Sequence, residues 1–281
     1  MKKVFFCLIL LIGIFSSCVD EVSKSRVRVQ RTVDSLNSSC PVNLDIIKVK
    51  SLRFNHDTIT ANFALDGTYY PLDIFKAAYV TEKYDMNFLN YLSFITGCKD
   101  AKQMRKDLVK IGAAIKIVIE DKNTNNGFVT IMTKEDIKKY AERKITKEER
   151  SRIRLKCKIA GERMRCPYDN GDVTISNDVR VEGNYVVFEY IVNEKIINID
   201  YLNANLKLAK AAILEEYSKA KAITLYSDII AIKGSHMGAK YKYIGDKSRK
   251  VAVVALEYED IPNIGDVQER INDEFNMRIF N

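Results

Sequence analysis

The sequence predicts an α+β fold built from two tandem copies of a small domain. Each copy is expected to be a mostly antiparallel four-stranded sheet with helices on one face, in the order α-β-β-α-β-β. Three observations lead there. Two of the four prolines follow a cysteine, Cys40-Pro41 and Cys166-Pro167, and these lie 126 residues apart. At the same offset Ser25-Arg26-Val27-Arg28-Val29 faces Ser151-Arg152-Ile153-Arg154-Leu155, so that seventeen ungapped positions hold five identities and three conservative pairs. A period this long exceeds the roughly 20–50 residues of a solenoid repeat and matches a whole domain. The offset then drifts by a residue or two, with Asn62-Phe63-Ala64-Leu65 facing Glu189-Tyr190-Ile191-Val192. The expected organisation is a leader over 1–17, a tether over 18–24, the first copy over 25–145 and the second over 146–281.

Each copy opens on a helix before its Cys-Pro. In the first, Val29, Val33, Leu36 and Cys40 recur at helical spacing. In the second, Ile153, Leu155, Cys157 and Ile159 alternate with cations as a strand would, but Thr146 followed by Glu149 forms a capping box and favours helix. Proline then marks the exit. Two β-branched runs follow: Val42 to Phe54 and Thr58 to Leu65 in the first copy, Asp172 to Val179 and Asn184 to Val192 in the second. Asp73, Asp85 and Asp100 can each start a helix, and Gly112 can stop the last. Asp200 can cap a single helix whose Leu202, Leu206, Ala209, Ile213 and Tyr217 share one face. Closing hairpins span Ala114–Asp121 with Phe128–Thr133, around Asn125-Asn126-Gly127, and Lys240–Ile244 with Val251–Tyr258. Asp266 with Glu269 would cap a last helix.

The first residues carry the most direct information about place. Met1-Lys2-Lys3 is basic, Val4 to Phe15 is apolar, and Ser16-Ser17-Cys18 follows. The apolar run falls short of the roughly 18–20 residues a spanning helix needs and reads as a removable leader. With small residues before a cysteine it resembles the lipobox of bacterial lipoproteins, departing from it at Phe15, where leucine is usual. The resemblance implies that Cys18 becomes the lipid-bearing N-terminus of a cell-envelope, outer-membrane lipoprotein. Asp20-Glu21 resembles the surface-export signal of Bacteroidota lipoproteins, and the layout resembles uncharacterised tandem-domain lipoproteins of that lineage. Periplasmic and surface faces both remain open.

Four further cysteines, Cys40, Cys98, Cys157 and Cys166, permit two disulfides in an exported protein, with three connectivities open. One bridge within each copy would pair Cys40 with Cys98 and Cys157 with Cys166. The alternative is buried thiols, since cysteine packs as a small hydrophobe. No C-x-x-C exists, and the two histidines, His56 and His236, lie in different copies, which disfavours a zinc site. No Gly-rich phosphate loop appears among the 12 glycines, so no cofactor is expected.

The formal charge is +8, and most of it lies in one segment. Between Lys134 and Arg165 there are 13 Lys or Arg against 6 Asp or Glu. Lys138, Lys139, Arg143, Lys144, Lys147, Arg150, Arg152 and Arg154 are candidates for contact with an anionic partner, such as a glycolipid or an envelope protein. A solvated helix face is the plainer reading. Nucleic acid is disfavoured by export and by the lack of aromatic interleaving, Tyr140 being the one aromatic residue in the segment. The sequence as a whole points to a non-enzymatic, lipid-anchored binding or assembly module. The alternative is an envelope hydrolase using a carboxylate pair, for which 37 acidic residues offer many pairs and no selecting rule.

Overall fold

A computed structural model of the chain describes residues 21–44, 47–68, 70–124, 126–219, 229 and 231–262. Residues 1–20, which include the leader and Cys18, lie outside these, as do Asn125 and the expected last helix at Asp266 and Glu269.

The protein is α+β, with two five-stranded, mostly antiparallel sheets. The first contains β1 (Val42–Leu44), β2 (Ile47–Asn55), β3 (Thr58–Leu65), β4 (Ala114–Asp121) and β5 (Gly127–Met132), side by side in chain order. The second contains β6 (Tyr168–Asp169), β7 (Thr174–Glu182), β8 (Tyr185–Val192), β9 (Gly238–Gly245) and β10 (Val251–Leu256), in the same order. In each sheet the third and fourth strands are parallel, from Thr58 opposite Ala114 in one and from Tyr185 opposite Gly238 in the other. The register slips at Val49/Ser51 in β2 and at Ser176/Asp178 in β7. Cys40-Pro41 and Cys166-Pro167 are both cis. A helix precedes each: α1 (21–38) and α6 (Lys147–Arg165).

The four-stranded expectation is corrected to five, and the order gains a strand at its start. The run Val42 to Phe54 is not one strand: β1 and β2 pair antiparallel, with Val42 opposite Val49. The run holds no Gly or Pro, and the marks of a break in it are Asn43 and Asp45. The parallel central pair requires a crossover, which the helices supply. These are α2 (Leu72–Thr81), α3 (Lys83–Thr96) and α4 (Ala101–Lys110) in one sheet, and α7 (Ile199–Ala204), α8 (Leu206–Lys219) and the turn 231–234 in the other.

Caps explain most helix ends. Asp100 caps α4 by accepting from the Gln103 amide. Thr133 and Asp136 form a capping box on α5 (Lys134–Glu142). Thr146 caps α6 through the Glu149 amide, which resolves the helix–strand ambiguity there in favour of helix. Asp73 and Asp200 sit in first turns rather than at caps, positions taken by Pro71 and Asn198. Asn205 breaks the expected single helix into α7 and α8. Gly112, at φ +63°, ends α4.

The chain forms two compact units. One holds the described residues from Glu21 to Thr68 and from Asn90 to Lys144, and the other holds Tyr70–Leu89 with the described residues from Ile145 onward. The first core contains Val29, Val33, Ile59, Leu65, Leu108, Ile115, Ile117 and Ile137, all nearly fully buried. The second gathers Leu155, Val179, Val186, Tyr217, Ile232, Ala239 and Leu256. Helix α2 belongs to this second unit and packs on α6. Gly161 permits the contact, since a Cβ there would meet the Tyr70 hydroxyl at 2.5 Å. Arg165 lies 5.0 Å from the Tyr70 ring and 4.2 Å from the Tyr168 ring.

Candidate functional site

The second unit contains an open groove of about 720 Å³ along α6. Its floor is apolar: Leu155, Ile159 and Met164 from α6, Val181 from β7 and Met237 from the loop before β9. Glu82, Arg152, Lys156, Arg163, Asn184 and His236 form its polar wall. Met164 and Val181 are 41% and 52% exposed, so the groove is covered by nothing among the described residues.

The equivalent region of the first unit explains why the second is open. The repeated Cys-Pro sets Arg26 against Arg152 and Asn37 against Arg163. Beyond the register slips the offset is 127, which sets Phe54 against Val181 and Asp57 against Asn184. A shared bond supports that pairing: Ala114 donates its amide to Asp57 O at 3.0 Å, and Gly238 donates to Asn184 O at 2.9 Å. In the first unit Arg26 clasps the hairpin through a bidentate pair with Asp57, both bonds 2.8 Å. Asn37 Oδ1 accepts from the Leu52 amide at 2.8 Å, closing helix α1 onto the edge of β2. Phe54 there is half-buried.

Each of these links changes in the second unit. Asn184 offers no carboxylate, and Arg152 pairs instead with Glu148 of its own helix at 2.7 Å. Arg163 reaches Asp178 at 3.2 Å. Valine replaces phenylalanine at 181. Lys156 bridges Glu82 at 2.6 Å and Asp85 at 3.2 Å, and these carboxylates raise its pKa.

The eight candidate basic residues divide between the two units. Lys138, Lys139, Arg143 and Lys144 belong to the first unit; Lys147, Arg150, Arg152 and Arg154 begin α6 in the second. Arg152 lines the groove, whereas Arg150 and Arg154 are half-buried on another side of the helix. Burial, and then Arg150, lower the pKa of Arg154. In the first unit its counterpart Arg28 binds Asp107, where the second unit has Ala231.

Cys40, Cys98, Cys157 and Cys166 are free thiols, so the within-copy pairing, one of the three connectivities left open, is not formed here. Cys157 and Cys166 stand at the middle and the C-cap of one helix. Nine residues of helix separate them by about 13 Å, too far for a disulfide. Burial pushes the Cys98 and Cys157 thiols up to about 12 and Cys166 to about 11.

His56 and His236 both take left-handed backbone in loops, and His236 stands 4.0 Å from Glu148 at the groove wall. Among the described residues no group of three His, Cys, Asp or Glu is placed to hold a metal, and no helix is long and apolar enough to cross a membrane.

Sequence reasoning did not identify the groove floor or Asn184. The signal was present in the differences between the two copies, at Phe54/Val181 and Asp57/Asn184.

No family model matches the chain, and no curated protein matches it. Among solved structures it is similar to a candidate secreted protein of Pseudomonas aeruginosa, with a TM-score of 0.33 and 10% identity over 43% of this chain and 100% of that one. It is also similar to EpsS, the pilotin of the Vibrio vulnificus type 2 secretion system, with a TM-score of 0.31 and 9% identity over 42% of this chain and 96% of that one. Likenesses this distant carry no argument about what the chain does.

Proposed function

We propose that this chain is a lipid-anchored, non-enzymatic protein of the bacterial cell envelope, in which two tandem copies of one α+β domain have diverged so that the second binds a partner. The observation that carries this reading is the groove on α6, apolar and open where the first unit is latched by Arg26–Asp57. Apolar floors with a few polar groups on the wall are the usual form of binding sites. The lipobox-like Ser16-Ser17-Cys18 supplies the anchor, lipidation being the membrane feature that remains once the leader is removed.

Two measurements test the reading together. Wild-type and Cys18→Ala chains are fractionated and weighed by mass spectrometry, and a photo-crosslinker is placed at position 164 in cells. Lipidated, membrane-bound wild type, a soluble or unprocessed variant, and a crosslink to an envelope protein support it. Unchanged partitioning and mass in the variant would remove the anchor. The competing hydrolase would use Glu82 and Asp85, which share Lys156. Hydrolysis of envelope polymers by the purified protein, abolished by Glu82→Gln, would replace binding with catalysis.

A further inference from the structure

Resting on the reading of the groove as a binding site, we propose that its occupant is an extended peptide that adds as a strand to the free edge of β7. The partner strand β6 covers only the start of β7, pairing Tyr168 with Ser176 and Asp169 with Ile175. Beyond the slip at Ser176/Asp178, β7 pairs only with β8, through to Glu182 opposite Tyr185. Glu182 and Tyr185 close a two-residue hairpin, so Glu182 and Arg180 point their backbone groups at β8. By the same alternation Val179 and Val181 point theirs outward; Val179 is buried in the core, whereas Val181 is 52% exposed and lines the groove, and no partner holds its backbone groups among the described residues.

The first unit shows how such an edge is protected. Leu52, the counterpart of Val179, donates its amide to the side chain of Asn37. Sheet edges are commonly covered or blunted against strand addition, and here a side chain takes up the edge amide. The second unit has Arg163 in place of Asn37, and Arg163 turns to Asp178. The defence is absent beside the groove.

An added strand would continue the line of β6 and lie between β7 and α6. Its alternate side chains would enter the groove, over Ile159, Met164 and Val181. Methionine adapts to varied apolar shapes, which suits recognition by backbone pairing. Arg152 and Arg163 both line the groove eleven residues apart on α6, about 16 Å along the helix, paired with Glu148 and with Asp178, and both are mostly exposed. Their present ion pairs are surface pairs and are readily exchanged for a carboxylate on the peptide. The structure thus favours a segment with apolar residues at alternate positions and acidic ends. An acyl chain is the poorer fit, because a small apolar ligand needs enclosure and this groove leaves Met164 and Val181 exposed.

The test uses the mature chain and a fluorescein-labelled synthetic peptide with valine at alternate positions and aspartate at both ends. Fluorescence anisotropy is read for three forms: unmodified, N-methylated on one alternate set of amides, and N-methylated on the other. Strand addition predicts that one methylated set loses about tenfold or more in affinity while the other matches the parent. Val181→Pro should weaken binding similarly by blocking the edge, and Arg163→Asn should do so by restoring the side-chain plug of the first unit. Circular dichroism checks that both variants fold. Equal binding by both methylated forms, displacement of the peptide by palmitate, or no binding at all overturns the proposal. A crosslink from position 164 to an envelope protein alongside any of these results would leave the binding reading standing and remove the strand.

Discussion

The two units share strand order, the parallel central pair, the register slip and the cis Cys-Pro, yet they treat the seam between first helix and sheet in opposite ways. In one, an arginine and an asparagine close the seam beside a half-buried phenylalanine. In the other, the same three positions hold an arginine turned along its own helix, an arginine turned to Asp178 and an exposed valine. The backbone plan survived while the side chains that finish it were replaced. An open apolar groove stands where the first unit is closed.

The largest effect expected from probing this comparison is in the cores. Leu65 and Val192 are fully buried counterparts, each accepting an amide from the loop after the next strand, Lys122 and Asp246 respectively. Leu65→Ala should destabilise by about 2–5 kcal/mol and Val192→Ala by roughly 1.5–3 kcal/mol. Urea denaturation with hydrogen exchange will show whether protection falls in the mutated sheet. Equal losses throughout both sheets would break the picture of two independent cores.

Next is Asp107, whose side chain is almost wholly buried and holds Ser25 at 2.8 Å, with Gln103 and Arg28 also bound to it. Burial pushes its pKa up, but the bonds from Arg28, Ser25 and Gln103 outweigh this and hold it below the usual aspartate value. Asp107→Ala leaves the Ser25 hydroxyl buried without that partner and should cost about 1–3 kcal/mol. The wild-type advantage should be complete above about pH 3.9, the unfolded aspartate value, and shrink as pH falls through the lower folded value. A pH-independent difference between the two would show that the charge is irrelevant. The second unit, with Ala231 here, already lives without this network.

The thiols sharpen the comparison further. With pKa values near 12, Cys98 and Cys157 are ionised to only about one part in ten thousand at pH 8. Disulfide-exchange reagents should label them slowly in native protein and rapidly in denaturant. Failure to label after denaturation without reductant would mean that they are paired after all.

The smallest effect belongs to the latch itself. Asn184→Asp should draw Arg152 to the hairpin and weaken peptide binding with little change in the unfolding midpoint, because exposed ion pairs add little. The reverse change, Asp57→Asn, should free Arg26 and raise hydrogen exchange at the β2–β3 turn. An unchanged groove affinity in Asn184→Asp would show that the latch does not control access.

Much of this was legible in advance. Cys40-Pro41 and Cys166-Pro167 fixed the offset, and alternation around Thr58–Leu65 and Ala114–Asp121 located two strands to the residue. The break between β1 and β2 was missed because no Gly or Pro interrupts the run, and Asn43 and Asp45 among β-branched residues were a weaker sign. Asp200 misled because Asn198, two residues earlier, reaches the Tyr201 amide first. The groove stayed hidden for a different reason. Comparing the copies for what they share found the duplication, but the site lies where they differ, and Arg152 gives no sign in one dimension of which carboxylate it has lost.

The placement of α2 has a consequence in time. Thr81 and Lys147, the facing ends of α2 and α6 in the chain, are 66 residues apart. Synthesis at about 5–20 residues per second leaves α2 waiting roughly 3–13 s for the helix it packs on. During that interval Leu72 and Tyr79, buried in the finished protein, have no such cover. A first half without α6 therefore presents apolar surface even when its own sheet is complete. Fragments cut at Lys144 would inherit the same defect, since the halves of the sequence are not the bodies that fold.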